Sequence, residues 1–360
     1  MDSNIANGHN MSGIGVNSPS VQNVIYGFLL ILVSAFIITI NGLLLFVIWS
    51  TKYLHRCQNV FVVSLAISDI LSGFVEGPFL AYVILNRPDK FHACPVEFFV
   101  NHFTKSSFSF SLMMLSLERC LAVSRPLKYQ SLVTDRSCTI SVVLIWMLSA
   151  LFASVPLFRN RFIYDKHNHK CSFESHAYGY TKNTIIVYIV LSRFLPMFVI
   201  LVCVMVTLNK ARSRFKFTAS ILAAVPFTVT PVVYPLNLKK ITLKALRSLL
   251  HLSIAFSVLT IVCCTSGIQK IVQNLDFPPE YEMALQFISL SYYFITPVII
   301  LIFNKQYQNR IVFLICKRGW RTSRVGQDPL PTLNYIFWHH YILFVALVIT
   351  FFSPKLGQEK

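Results

Sequence analysis

The stretch LSLERCLAVSRPLKY, residues 115–129, decides the fold. Glu118 and Arg119 close a long apolar run, and Arg125 and Lys128 follow at once. Charge is costly in or beside a hydrocarbon layer. An arginine at the end of such a run is therefore either a topology signal or a working group, and the rest of the chain must say which.

Of the 360 residues, 55% are hydrophobic and 13% charged, against about 25% charged in an ordinary soluble domain. The apolar residues fall in runs of about 20, the length of helix that crosses a bilayer core. The chain is thus a polytopic helical membrane protein. Its net charge of +18 would suit nucleic acid. The Lys and Arg lie mostly in short segments between apolar runs, however, where topology signals belong, and nucleic acid is excluded as a partner.

Seven runs read as spans, roughly 23–50, 58–85, 92–124, 138–158, 181–209, 244–273 and 283–303. The first, third and fifth connectors are basic, as is the segment after the seventh run. The N-terminal tail carries one charge, Asp2. The positive-inside rule puts the N-terminus outside. The basic connector 159–170 dissents and is outvoted. Residues 1–22 lack a basic leader, so the first run is expected to act as a signal anchor. Asn10-Met11-Ser12 is a glycosylation sequon in that outer tail.

Two more apolar stretches exceed seven. Residues 217–238 carry no charge but contain Pro226, Pro231 and Pro235, which would break the bonds of a spanning helix. They are expected to form an insert in the cytosol or on the membrane surface. Residues 335–352 are uncharged, hold His339 and His340, and suit a span or a surface-lying segment equally. Translation of an unspliced intron would account for both stretches. The expected division is an outer tail over 1–22, a receptor-like unit over 23–316 and a C-terminal tail over 317–360 that holds the apolar segment 335–352.

Of nine cysteines, six lie in or beside apolar runs and read as small buried hydrophobes. Cys94 and Cys171 both face the oxidising side, where a disulfide would pin the outer connector over the bundle mouth. Cys316 stands beside Lys317 and Arg318, a palmitoylation context.

Cys94 and Arg119 are 25 residues apart, about 37 Å of helix, so they sit at opposite membrane faces. Around them the pattern resembles a rhodopsin-like (class A) G-protein-coupled receptor. The first span carries Asn41 and the second SLAISD with Asp69. The third ends Glu118-Arg119-Cys120 before LAVSRPLKY, similar to the family's Asp-Arg-Tyr … Pro-Leu-x-Tyr segment. Trp146 and Pro156 in the fourth, Pro196 in the fifth, and Thr296-Pro297 before FNKQYQNRI in the seventh complete the ordered set. The implied fold is an all-α membrane protein, a seven-transmembrane helix bundle with a short amphipathic helix after the last span. The implied place is the plasma membrane, and the implied partners are a heterotrimeric G protein, a small-molecule or lipid ligand and membrane lipids.

The chain departs from that pattern where such receptors move. Cys120 replaces Tyr. Cys263-Cys264-Thr265-Ser266 replaces Cys-Trp-x-Pro, Thr296-Pro297-Val298-Ile299-Ile300 replaces Asn-Pro-x-x-Tyr, and Val204 replaces the fifth-span Tyr.

By resemblance, Arg119 pairs with Glu118 at rest and meets a G-protein helix when the bundle opens, with Leu127 as the apolar plug. The sixth span begins LKALRSLL, with no acid to bind Arg119. A weak resting lock and basal signalling are expected. Asp69 is mid-membrane, where the family organises a sodium ion. Phe108, Tyr292, Tyr293 and Thr296 stand where smaller or amide groups usually help, which speaks against sodium and for a protonated Asp69 or one bonded to Tyr or Asn41.

The family's amine receptors carry an Asp seven residues after the third-span Cys, and here that position is Asn101. Asn101 and Lys105 share a helix face, with His102 beside them. Glu76 lies at similar depth on the second span, and Arg193 precedes Pro196 on the fifth. Two readings stay open. Glu76 and Lys105 form an internal pair, or Lys105, His102 and Arg193 receive an acidic ligand group such as a carboxylate.

No retinal lysine stands in ALQFISLSYYFITP, so an opsin is disfavoured. A transporter would show repeated halves, and none is evident. Enzyme motifs are absent: no metal-ligand spacing, phosphate loop or GxSxG occurs. A receptor-like protein that folds without signalling, or is mis-spliced, is the other alternative.

Overall fold

Inside a bilayer no water bonds the backbone, so each apolar run must satisfy itself as helix. The computed structural model describes residues 21–51, 57–86, 94–158, 162–165, 170–173, 183, 186–224, 250–264, 279–304, 307–308 and 310–311. Helix α1 runs Val21–Trp49, α2 Cys57–Asn86 and α3 Cys94–Ser124. A short α4, Pro126–Leu132, precedes α5, Asp135–Ser154. After a hairpin of β1, Phe162–Asp165, and β2, Lys170–Phe173, come α6, Leu195–Ala224, α7, Leu250–Cys264, and α8, Pro279–Phe303.

Among the described residues, five helices are long and apolar enough to cross a membrane. The fifth of the expected spans covers Ile186–Ser213, and the sixth is described over the 15 residues of α7. Helix α3 is long enough but more polar, for a structural reason. It packs against α2, α5 and α6, and Ser106, Ser107, Ser109, Ser111 and Ser116 are all buried along it. Small hydroxyls let helices approach and bond across. Ser64 and Ser111 are 2.8 Å apart, Ser68 donates to Ser107 at 3.0 Å, and Trp146 Nε1 donates to Ser64 at 3.0 Å. Three helices are thereby tied at mid-depth.

Helix α1 lies closely on α2 because Gly73 and Gly77, one turn apart, face it. A Cβ on Gly77 would collide with Ser34 Oγ, and one on Gly73 would press on Ile37 and Ile38. Helix α4 starts on Pro126 in its first turn, where the missing N–H costs nothing. Helix α5 starts on a capping box, with Thr134 Oγ1 accepting from Ser137 N at 3.2 Å and Ser137 Oγ accepting from Thr134 N at 3.2 Å.

Val190–Phe194 form a π turn ahead of α6, in which Leu195 N–H reaches back to Val190 O. Pro196 has no N–H to give to Ser192 O, and the wider turn absorbs the interruption.

The structure adds detail to three sequence readings. The outer connector carries an antiparallel pair of strands with Tyr164 opposite Cys171. Cys138, read as a small buried hydrophobe, is buried in the core and is also disulfide-bonded. Of the stretch 217–238, residues 217–224 continue α6 rather than forming a separate insert; the remainder lies outside the described residues, as do 335–352, Asn10 and Cys316.

Candidate functional site

Three polar layers cross the bundle. The outermost begins on α2, where Glu76 is 7% exposed. An ionised side chain at such a place must be paired and hydrogen-bonded. Glu76 Oε1 accepts from Ser72 Oγ at 2.8 Å and from Tyr293 Oη at 2.9 Å, with Thr104 Oγ1 at 3.4 Å. Glu76 Oε2 is 3.5 Å from Lys105 Nζ. Lys105 also donates to Asn101 Oδ1 at 2.8 Å, and Asn101 Nδ2 donates to Glu97 at 3.4 Å. The α3 spacing makes this chain possible: Glu97, Asn101 and Lys105 recur every four residues on one face. A cavity of about 60 Å³ opens beside it, lined by Glu76, Glu97, Asn101, Lys105, Gln286 and Ser289 among others.

The other two expected ligand residues lie apart from that cavity's lining. The π turn aims Arg193 at α3, where Nη1 donates to Lys105 O at 3.1 Å and Ser109 Oγ at 3.3 Å. His102 lies between Phe98 and Tyr188, with ring centroids at 4.0 and 4.7 Å. Tyr188 Oη donates to His102 O at 3.0 Å. Lys105, His102 and Arg193 thus do not converge on one space. Glu97, Ser72, Thr104, Gln286 and Tyr188 were not singled out in the sequence, since polar residues scattered over four spans leave no pattern there.

In the middle layer Asp69 is fully buried and neither of its oxygens has a hydrogen-bond partner among the described residues. The expected bond to Tyr or Asn41 is corrected. Tyr293 gives its hydroxyl to Glu76, and Tyr292 gives its own to Thr260 at 3.1 Å. Asn41 Nδ2 is spent on the carbonyls of Ile37 and Tyr293, at 3.0 and 2.8 Å. Thr296 Oγ1 donates to Tyr292 O at 3.3 Å, one residue before the in-helix Pro297.

At the cytosolic end Glu118 is 3% exposed and Arg119 Nε lies 3.2 Å from its Oε2. Tyr129, on α4, donates its hydroxyl to Glu118 Oε1. Leu127 stands clear of the protein at 94% exposure. Past α8, Tyr307 is buried and donates to Asn59 at 2.9 Å, while Arg310 bonds Ser50 O at 2.9 Å. Burial pushes the Tyr307 phenol up, and nearby Arg119 opposes the shift. This segment is thereby tied beneath the first two spans.

Cys94 is buried and disulfide-bonded. Cys171 stands on β2, its side chain outside the described residues, and β1 packs on α3.

Comparison with known proteins fits this geometry. Olfactory receptor 10G8 of Homo sapiens is 28% identical over 144 residues, 39% of this chain and 45% of that protein. Adenosine receptor A2b of Gallus gallus is 34% identical over 118 residues, 32% and 34% of the two chains. A dopamine D2-like receptor of Drosophila melanogaster is 31% identical over 131 residues, 35% and 14%. The chain spans less than half the length of these relatives. The family model of the 7 transmembrane receptor (rhodopsin family) matches residues 40–304. With buried charge layers inside membrane-length helices, the chain belongs to the rhodopsin family of seven-transmembrane receptors, multi-pass proteins of the plasma membrane.

Proposed function

We propose that the protein binds a small ligand, extracellular or lipid-derived, in the outer half of its bundle and activates a heterotrimeric G protein at its inner face. The observation that carries this is the Glu118–Arg119 pair beside an exposed Leu127. The guanidinium is held by Glu118, its neighbour on the same helix, whose carboxylate Tyr129 also engages. Opening the inner end of the bundle gives Arg119 an acceptor on the G protein. The sixth span begins LKALRSLL, with no acid to bind Arg119, which supports basal signalling. Leu127, with its side chain in solvent, is the apolar contact for the partner.

Nucleotide exchange on a purified heterotrimer, with the full chain in lipid nanodiscs, tests this reading. The wild-type chain is expected to accelerate exchange without ligand, Arg119→Ala to abolish the acceleration and Leu127→Asp to weaken it. Unchanged exchange by Arg119→Ala removes the coupling role.

The outer cavity is proposed as the ligand site because it is polar, lies among α2, α3 and α8, and contains part of the Glu76–Lys105 layer. The Cys94–Cys171 disulfide is proposed as the tether of the hairpin over it, supported by the bonded state of Cys94 and the packing of β1 on α3. An acidic ligand group would have to displace Glu76 to reach Lys105. The geometry favours a head group of the opposite charge.

A further inference from the structure

The ionisable groups that face the outer cavity are unequal in number. Two carboxyl groups, Glu76 and Glu97, face one amine, Lys105. The two carboxylates are also unequally served. Glu76 has Ser72, Tyr293, Thr104 and Lys105 around it. Glu97 has the Asn101 amide, at 3.4 Å. That amide is fixed in orientation, because Lys105 holds its oxygen at 2.8 Å. A carboxylate offers about four acceptor positions, so Glu97 keeps acceptor capacity toward the cavity.

Resting on the receptor reading above, we propose that the cavity receives a protonated amine, with its ammonium on Glu97. The space, about 60 Å³, matches a head group. A single water occupies roughly 10–15 Å³ by the same measure, and sites for drug-sized molecules run to about 300 Å³ or more. Phe79, Leu80 and Leu290 add apolar wall for the part of the ligand next to the charge. A carboxylate head would meet Glu97 and Glu76 together. Asn101 takes no charge itself; it holds Lys105 and Glu97 apart so that the ammonium of the protein neutralises Glu76 and that of the ligand neutralises Glu97.

Thermal unfolding of the full-length chain in detergent, without G protein, tests the assignment. The probes are phenethylamine, neutral phenethyl alcohol and anionic phenylpropionate, each to about 10 mM, roughly ten times a Kd of about 1 mM. The amine is expected to raise the midpoint more than the other two. Glu97→Gln is expected to weaken the amine effect at least about 10-fold, as loss of a charge-assisted bond does, while Glu97→Asp keeps the preference. The unliganded midpoint of each variant shows that it is folded. A larger shift with phenylpropionate, equal shifts from amine and alcohol, no shift with any probe, or an amine effect untouched in Glu97→Gln would overturn the assignment. None of these outcomes bears on Arg119, whose exchange assay decides coupling separately.

Discussion

Asp69 and Glu76 are carboxylates seven residues apart on one face of α2, about 10 Å along its axis. Both are buried, yet their surroundings are opposites. Glu76 is met by three hydroxyls and an ammonium, whereas Asp69 has no hydrogen-bond partner on either oxygen among the described residues. Depth in the membrane therefore does not by itself make a charged group a ligand site or a switch. What matters is which neighbours have spent their donors, and on whom. Tyr293 decides much of this contrast. Its hydroxyl goes outward to Glu76, and its carbonyl holds Asn41.

The strongest way to break the comparison is to strip Glu76 of its partner. Lys105→Met leaves a buried carboxylate uncompensated and should lower stability by about 3 kcal/mol, read as a fall in the thermal midpoint. Combining it with Glu76→Leu should recover most of that loss, because replacing both members of a buried pair is often neutral. Additive losses in the double variant would mean that the two side chains do not act as a pair.

Tyr293→Phe removes one donor to a charged acceptor and should cost about 2 kcal/mol. The same change made in the Glu76→Leu background should cost little, and a full cost there would put the role of Tyr293 elsewhere. Asp69→Asn is expected to go the other way. It removes a buried carboxyl whose oxygens are unserved and should raise the midpoint, by about 1 kcal/mol. A fall of that size would show a partner for Asp69 and erase the contrast. Of similar size, Tyr307→Phe should cost about 1 kcal/mol, the worth of its bond to Asn59; no change would mean that Arg310 and Ser50 hold that segment unaided.

Much of the fold was legible because its cause is local. A run of about 20 apolar residues must be helical in lipid wherever it sits, and basic connectors orient it. The third span was legible from its ends, Cys94 and Arg119, although it fails a simple test of apolarity. Its serines serve the neighbours that enclose it, which no count of its own residues reveals. The hairpin at 162–173 and the π turn before Pro196 were missed for a related reason. Each is short, and each is fixed by what it packs on or by one absent N–H.

The site divided in the same way. Counting along two helices could place Glu76 and Lys105 at one depth, and residue type could single out Arg193 and His102. Counting could not show that Arg193 turns onto the α3 backbone, that His102 is shut between two rings, or that Glu97 lines the cavity. Sequence alone determined that this chain lies in a membrane as a helical bundle with an arginine at its inner face, because hydrophobic length and charge position act on each segment separately. Only the tertiary structure decided which buried carboxylate is served and which is left over, because a hydroxyl has one hydrogen to give and its direction depends on every helix around it.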